Sequence, residues 1–313
     1  MLNIYNTNFE TGVFEEVSEF KKGCWINLVN PTEDEIKRVC DSTSVLEEFI
    51  RYPLDYEEQA RIDIEDDNIL FVIDVPTVEK SGQDIYYTTM PLGLIVVRDD
   101  FFITVSLQKT KIIDDIKKQR VKGLFTYKKT RLILQILFLN ASNYLDILKK
   151  LNKKAEKIIA SLQSSMKNKE LIQLSNIENS LIYITTSLKA NEIVMEKTLR
   201  GKIIKIYEED EDILEDAIIE NKQAIEMSKV YSDILSGTMD TYASIISNNL
   251  NDVMKLLASI TILISVPTLI ASIWGMNVNL PFMGTGNGFY YVLGIAVVIS
   301  IVAFIWLKKK DML

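Results

Sequence analysis

Two apolar runs without a formally charged residue dominate the hydrophobic pattern of the sequence. They cover residues 256–274 and 289–307, and the uncharged link 275–288 joins them. A helix of about 20 apolar residues spans the hydrocarbon core of a bilayer. A buried helical hairpin in a soluble protein is the alternative, but soluble cores seldom need two uncharged runs of this length. The pattern therefore predicts two transmembrane helices near the end of the sequence.

A stripe of polar and small residues follows one side of the first run and extends upstream of it. Taking every fourth and third residue in alternation gives a 3.5-residue repeat, which is typical of a helix that supercoils with neighbouring helices. The stripe consists of Asp240, Ser244, Ser247, Asn251, Met254, Ala258, Thr261, Ser265, Thr268, Ser272 and Gly275.

This stripe has two interpretations. Small residues let helices pack closely, and Ser and Thr hydroxyls can hydrogen-bond across such an interface. Alternatively, the stripe is the wet wall of a pore, which we favour because one polar face continues for about ten turns. One helix cannot enclose a pore, so this interpretation predicts a homo-oligomer with cyclic symmetry. Met254 is the bulkiest member and is a candidate hydrophobic gate, although core packing explains it equally well.

The region upstream of residue 108 has the pattern of an α/β domain. Six short runs rich in β-branched and aromatic residues indicate strands, and Thr32 to Glu35 forms a capping box that predicts a helix to about Asp41. The predicted strands cover residues 2–5, 24–28, 60–64, 69–75, 92–97 and 101–106.

Long helices are predicted for the rest of the upstream region. Apolar residues recur with helical spacing over 128–167 and 169–197, and a third helix begins near Asp210 and continues into the first apolar run. The predicted organisation is an α/β domain (1–108), a long-helix region (109–209), a stalk helix (210–252), two spans (253–274 and 289–307) around the link (275–288), and a basic tail (308–313).

Charge and composition exclude several classes of function. Residues 1–249 carry 31 basic and 41 acidic side chains, and this acidic balance argues against nucleic-acid binding. The sequence has no His, which excludes Ser-His-Asp triads and HExxH zinc sites. Cys24 and Cys40 are widely spaced and indicate ordinary cytosolic thiols. No enzyme active site and no cofactor are predicted.

The predicted topology places both ends of the chain in the cytoplasm. No apolar leader opens the sequence. Lys308, Lys309 and Lys310 directly follow the second run, and basic residues favour the cytoplasmic side of a membrane. Two spans then put the acidic body in the cytoplasm and the link 275–288 outside, in a protein of the cell membrane.

Two acidic clusters are candidates for binding divalent cations. One contains Asp66 and Asp67 at a predicted strand-to-turn junction, and the other contains Glu208 and Asp210 at the start of the stalk. A solvated turn and a helix start that suits the helix dipole explain them without a ligand. Hard carboxylate oxygens across a subunit interface would instead bind a regulatory cation.

The end of the first span carries the residues that identify a family. Gly275-Met276-Asn277 directly follows Trp274, the segment 251–255 (NDVMK) lies one span upstream, and a lysine run closes the second span. In this arrangement the sequence resembles the CorA family of divalent-cation channels. The detailed similarity covers about residues 235 to 313, and the order of the upstream elements also fits.

The resemblance implies a funnel-shaped homopentamer that conducts Mg²⁺. In it, Mg²⁺ is the substrate, and Gly275, Met276 and Asn277 form the outer selectivity ring. Cytosolic Mg²⁺, held near Asp240, is the regulatory ligand. The implied pore-lining positions include Asn251 and Thr268, with Met254 and Leu257 as a cytoplasmic constriction. Together with the stripe, the candidate pore residues are Asn251, Met254, Leu257, Thr261, Ser265, Thr268 and Ser272.

One departure from the family pattern leaves more than one candidate for the transported ion. The best-known members carry an acidic residue soon after the GMN tripeptide, whereas residues 278–288 contain none. A Zn²⁺ transporter on the same scaffold, coupled to a pH gradient, is therefore the alternative, and a non-conducting membrane receptor is a third possibility. The absence of imidazole and thiolate ligands from the spans favours Mg²⁺, with Co²⁺ or Ni²⁺ as incidental substrates.

Overall fold

A computed structural model describes residues 1–81, 84–98, 100–118, 123–165, 168–201, 203–276, 287–310 and 312. The chain divides into two compact units, Met1–Gly237 and Thr238–Leu313. The strands are β1 (Leu2–Thr7), β2 (Phe14–Val17), β3 (Trp25–Val29), β4 (Arg61–Glu65), β5 (Asn68–Ser81), β6 (Asp84–Val97) and β7 (Phe101–Ser106). The helices are α1 (Glu33–Thr43), α2 (Glu47–Arg51), α3 (Lys111–Lys117), α4 (Lys129–Ser165), α5 (Asn168–Gly201), α6 (Glu208–Trp274) and α7 (Gly288–Lys309).

The first unit is built on one seven-stranded sheet with the order β2-β1-β3-β7-β6-β5-β4. The pairing of β3 with β7 is parallel and the other pairings are antiparallel. All six predicted strands are confirmed. The hairpin of β5 and β6 is longer than its two apolar runs because polar and aromatic residues such as Thr77, Thr88 and Tyr87 continue the pairing. Strand β2 was not predicted because it has only four residues, two of which are acidic.

Alternation along the strands sends side chains to two separate cores. Phe71 and Ile73 of β5 join a cluster with α4, α5 and the start of α6 on one face of the sheet. Leu70 and Val72 join a second cluster with α1 and α2 on the other face. Successive strand residues point to opposite faces, so one apolar run supplies both layers. The sheet is therefore covered by helices on both sides, as an α/β domain requires.

The observed helices agree with the predicted ones where the apolar periodicity in the sequence extends over many residues. The capping box of α1 is formed, with the Thr32 side chain accepting from the Glu35 N–H and the Glu35 carboxylate accepting from the Thr32 N–H. The three long helices lie within a few residues of their predicted bounds. The short helices α2 and α3 were not predicted, since fewer than eight residues give little periodicity.

The second unit consists of the last part of α6 together with α7. Both helices are long and apolar enough to cross a membrane, and only 6% and 11% of their most apolar windows are buried within the chain. Helix α6 passes through Pro267 without a break. Leu263 and Pro267 face Leu293 and Val297 of α7 across a shallow groove, and the Ser259 hydroxyl donates to the Met312 carbonyl at 2.7 Å.

Candidate functional site

The polar stripe lies on the exposed side of α6 in the second unit. Thr261, Ser265, Thr268 and Ser272 are all exposed and line one concave surface of about 630 Å³. Leu263 belongs to the α7 side of the helix, two positions away from Thr261 and Ser265. At 3.6 residues per turn, two positions correspond to roughly 200° around the helix. The stripe therefore points away from α7 and is not used to pack the two helices of one chain.

The hydroxyl groups of the stripe donate their protons to their own helix. The Oγ1 of Thr261 donates to the Leu257 carbonyl at 2.8 Å, Ser265 Oγ donates to the Thr261 carbonyl at 2.7 Å, and Thr268 Oγ1 donates to the Ile264 carbonyl at 2.8 Å. A hydroxyl has one proton and two lone pairs. With the proton used within the helix, the outward side of each hydroxyl is an acceptor. Such a row of neutral oxygens suits the water molecules around a hydrated cation, because those waters present their protons outward.

An apolar band lies at the start of the same face. Met254 is 59% exposed and Leu257 is 60% exposed, and Asn251 precedes them on the exposed surface. The charged residues of this turn, Asp252 and Lys255, pair with each other at 3.1 Å. A thioether and an isobutyl group offer no ligand to a hydrated ion, and hydrophobic constrictions can close a channel by losing water.

The helix ends where the GMN tripeptide begins. Gly275 and Met276 continue the last turn, with their N–H groups donating to the carbonyls of Ala271 at 3.0 Å and Ile273 at 3.2 Å. A Cβ at position 275 would lie 3.3 Å from the Ala271 carbonyl oxygen, so glycine keeps this turn uncrowded. Met276 is exposed. Asn277 and the rest of the link up to residue 286 lie outside the described residues.

The candidate carboxylates Asp66 and Asp67 form the turn between β4 and β5. Both residues have positive φ angles, 47° and 62°, which is the backbone of a two-residue hairpin loop that Asn, Asp and Gly accommodate best. Both are exposed. The backbone requirement accounts for the residue type at these positions, while the exposure leaves the carboxylates accessible.

The second acidic cluster is divided by the structure. Glu208 is exposed, whereas Asp210 is only 2% exposed and pairs with Arg131 at 3.2 Å. The neighbouring Glu209 pairs with Lys128 at 3.1 Å. These contacts join the start of α6 to the start of α4. The Asp210 carboxylate is thus already paired with Arg131 within the chain. It is therefore less available to bind a metal ion.

The remaining candidate, Asp240, is exposed on α6 in the second unit. Its carbonyl accepts from the Ser244 hydroxyl at 3.0 Å, so the stripe's hydrogen-bond pattern extends this far. Within the described residues, no group of three or more His, Cys, Asp or Glu side chains could hold a metal ion.

One polar site was missed by sequence reasoning. The Asn191 amide pairs with both backbone groups of Asp74, accepting from its N–H and donating to its carbonyl, each at 2.8 Å. Asn140 and Tyr144 also donate to that carbonyl. Beyond Arg61, where β4 begins opposite Val72, the Asn191 side chain thus takes the place of a neighbouring strand for β5. A polar residue on the core-facing side of α5 is the only signal in the sequence.

Known proteins that are similar to this chain match nearly its full length. The model of the family described as "CorA-like Mg2+ transporter protein" matches residues 20–309. The cobalt/magnesium transport protein CorA of Methanocaldococcus jannaschii is 27% identical over an alignment of 297 residues. This alignment covers 92% of this chain and 90% of that protein.

Two solved structures extend the comparison to the fold. The complete structure of the CorA magnesium transporter from M. jannaschii superposes with a TM-score of 0.85 at 23% identity, covering 99% of this chain and 98% of that one. The ZntB cytoplasmic domain from Vibrio parahaemolyticus has a TM-score of 0.55 at 13% identity, covering 80% of this chain and 97% of that one. Since the family model covers nearly the full length, the chain belongs to the CorA-like Mg²⁺ transporter family.

Proposed function

We propose that this chain is one subunit of a homo-oligomeric channel that admits Mg²⁺ into the cell, with α6 lining the pore. The observation that carries this proposal is the exposed row of hydroxyl oxygens whose protons are bonded to their own helix. A single such helix cannot enclose a path, so several copies must surround an axis. Five copies, as the family resemblance implies, form the funnel-shaped assembly that we propose.

The chemistry of the proposed path fits Mg²⁺. This ion gives up its water reluctantly and prefers oxygen ligands. In the proposal, Gly275, Met276 and Asn277 form the outer ring, and the amide and carbonyl oxygens of this ring hold the hydrated ion without stripping its water. A ring of carboxylates would hold a dication more tightly and release it more slowly. Thr268 and Ser272 then continue the row of neutral oxygens inward.

The membrane potential supplies the driving force in this proposal. Moving one elementary charge across 100 mV is worth about 2.3 kcal/mol, and a dication gains twice that amount. Inward flow therefore needs no nucleotide hydrolysis. The proposed orientation, with both termini in the cytoplasm, follows from Lys308, Lys309 and Lys310 at the end of α7.

For regulation, we propose that cytosolic Mg²⁺ binds between copies near Asp240 and holds the Met254–Leu257 constriction closed. Asp66, Asp67 and Glu208 are exposed and remain possible contributors, whereas Asp210 is engaged by Arg131. Replacing Asp240 by Ala should leave Mg²⁺ influx less sensitive to internal Mg²⁺. The measurement is influx into proteoliposomes loaded with increasing Mg²⁺, with Asp233→Ala on the same helix as the control. Unchanged inhibition in Asp240→Ala would remove Asp240 from the regulatory site.

The second candidate function is Zn²⁺ transport coupled to a proton gradient. The feature that favours it is the link 278–288, which contains no acidic residue to attract a hydrated dication. The likeness to the ZntB cytoplasmic domain concerns the fold alone. The spans contain no His or Cys, and these are the side chains that Zn²⁺ usually prefers, so Mg²⁺ is the better-supported substrate.

Metal influx into proteoliposomes separates the two functions. The purified chain is tested with Mg²⁺ and with Zn²⁺, each with and without a pH gradient, under an inside-negative potential. We expect Mg²⁺ influx driven by voltage alone, and we expect Asn277→Ala to abolish it while the oligomer persists on a sizing column. Asn279→Ala, in the same link, is the control and should conduct. Zn²⁺ influx that follows the proton gradient, with little Mg²⁺ influx, would favour the second function instead.

A further inference from the structure

The Ser259 hydroxyl of α6 has a different kind of partner from the stripe hydroxyls of the same helix. The hydroxyl groups of Thr261, Ser265 and Ser300 each donate to the carbonyl four residues back in their own helix. This is a common bond for Ser and Thr inside a helix. Ser259 instead donates to the Met312 carbonyl at 2.7 Å, across 53 positions of the sequence. It therefore joins α6 to the segment that follows α7.

The junction at Ser259 is closed, although most of the second unit is exposed. The relative exposure of Ser259 is 0%, and so is that of Leu307 near the end of α7. The Met312 N–H donates to the Leu307 carbonyl at 3.2 Å, so both backbone groups of Met312 are bonded. A buried hydroxyl without a partner costs free energy. The bond to Met312 therefore holds the segment after α7 at a defined place on α6.

Ser259 lies behind the proposed constriction. The constriction residues Met254 and Leu257 are 59% and 60% exposed, whereas Ser259 is buried. Ser259 follows Leu257 by two positions, which correspond to roughly 200° around the helix. The turn of α6 that presents Leu257 to the proposed pore therefore carries Ser259 on its opposite side. A shift or rotation of this turn would move Leu257 and would also stretch the bond to Met312.

A run of lysines anchors the segment that Ser259 holds. Lys308, Lys309 and Lys310 lie between the buried Leu307 and Met312, and all three are exposed. Basic side chains at the end of a spanning helix extend to the lipid headgroups. These contacts resist movement of the end of α7 along the membrane normal. Because Ser259 is bonded to the same segment, α6 shares this resistance.

We propose that Ser259 is a positioning residue for the closed channel, and that its bond to Met312 fixes the α6 turn that carries Leu257. This role rests on the proposed function, since it needs the constriction at Met254 and Leu257. A hydrophobic constriction closes a channel by losing water, so a slightly wider one admits water and ions. Loss of the bond should therefore make the closed channel leak without reducing flow through the open channel.

The test measures Mg²⁺ influx into proteoliposomes that hold the full chain, at low and at inhibitory internal Mg²⁺. Ser259→Ala should raise influx at inhibitory Mg²⁺ about fivefold, the ratio expected for one hydrogen bond. Influx at low internal Mg²⁺ should not change. A chain that ends at Asp311 lacks the acceptor but keeps the lysine run, and it should leak equally. Combining the two changes should add nothing further, because both remove the same bond.

Ser300→Ala is the matched control for Ser259→Ala. It removes the same hydroxyl group from the other spanning helix, where the hydroxyl donates to the Ala296 carbonyl at 2.8 Å. Ser300 also faces the groove between α6 and α7, so a general effect of loosening the two helices would appear in this variant too. Inhibition by internal Mg²⁺ in Ser300→Ala should equal that of the unmodified chain.

Hydrogen exchange at the Met312 amide tests the contact without any transport. Exchange should be about fivefold faster in Ser259→Ala and unchanged in Ser300→Ala. Equal exchange in Ser259→Ala and the unmodified chain would overturn the proposal, because the bond would not hold the segment. Faster exchange with unchanged inhibition, in a chain that conducts, would overturn the positioning role. A chain that carries no Mg²⁺ would instead overturn the proposed function, and the role of Ser259 in closing the channel with it.

Discussion

The two units of the chain differ in the hydrogen-bond partners of their polar side chains and in the exposure of their apolar side chains. In the first unit, buried polar groups join distant segments: Trp25 Nε1 donates to Thr104 Oγ1, and that hydroxyl donates to Asn27, both at 2.9 Å. In the second unit, the hydroxyls of Thr261 and Ser300 bond within their own helices, while most apolar side chains are exposed. The first unit buries most of its apolar side chains within the chain, whereas the second leaves most of them exposed.

The largest effect should come from placing one charge on each surface. Val298 in the middle of α7 is 60% exposed, and Val13 between β1 and β2 is 55% exposed. A Lys at the centre of a spanning helix costs about 2.5–3.5 kcal/mol, while a Lys on a water-facing surface costs almost nothing. Val298→Lys should therefore lower the amount of membrane-embedded protein severalfold, and Val13→Lys should not, as measured by carbonate extraction of membranes. Equal yields would show that α7 does not face lipid at this point.

A smaller effect should come from Asn191, the polar link of the first unit. In Asn191→Leu, the Asp74 N–H loses its acceptor in a buried place, which costs about 1–3 kcal/mol. The Asp74 carbonyl keeps its bonds from Asn140 and Tyr144, so the loss stays within that range. Denaturant unfolding of the full chain in detergent, followed by tryptophan fluorescence, measures it.

Thr268→Val is the matched variant for Asn191→Leu in the second unit. It removes one hydrogen bond, against two in Asn191→Leu, at nearly constant volume. The bond lost from Thr268 lies within α6, so stability should change little. If the stripe is a pore wall, Mg²⁺ influx should fall instead. A large stability loss in Thr268→Val with unchanged influx would mean that the stripe is a packing surface between copies.

The two units also differ in how much of their structure could be predicted from the sequence. Local patterns can be read directly, whereas contacts between distant segments cannot. The spans, the stripe and helix α4 are encoded by long local patterns, and the structure has the helices α4, α6 and α7 at those positions. The contact between Asn191 and Asp74 joins residues 117 positions apart, and no local pattern reports on that pairing. The GMN tripeptide could be recognised only through the family resemblance, because no local pattern distinguishes it from any other uncharged turn.

The smallest effect should come from the carboxyl group of Asp74 itself. Burial raises the pKa of Asp74, and a hydrogen bond from Ser187 only partly opposes this shift. The buried Tyr144 phenol also faces this carboxyl. A carboxyl whose pKa is higher in the folded than in the unfolded chain favours folding when it is protonated. The stability of the unmodified chain should therefore fall as pH rises from the ordinary Asp range through the raised value.

In Asp74→Asn, this pH-dependent loss should disappear, because the amide does not titrate. The free energy of unfolding of Asp74→Asn, measured relative to the unmodified chain, should thus increase with pH across that window. Asp63→Asn is a suitable control, since Asp63 lies on β4 and pairs with Arg61 at 2.6 Å. A difference between Asp74→Asn and the unmodified chain that stays constant with pH would mean that the Asp74 carboxyl titrates as it does in the unfolded chain, and that water reaches the edge of β5 which Asn191 covers.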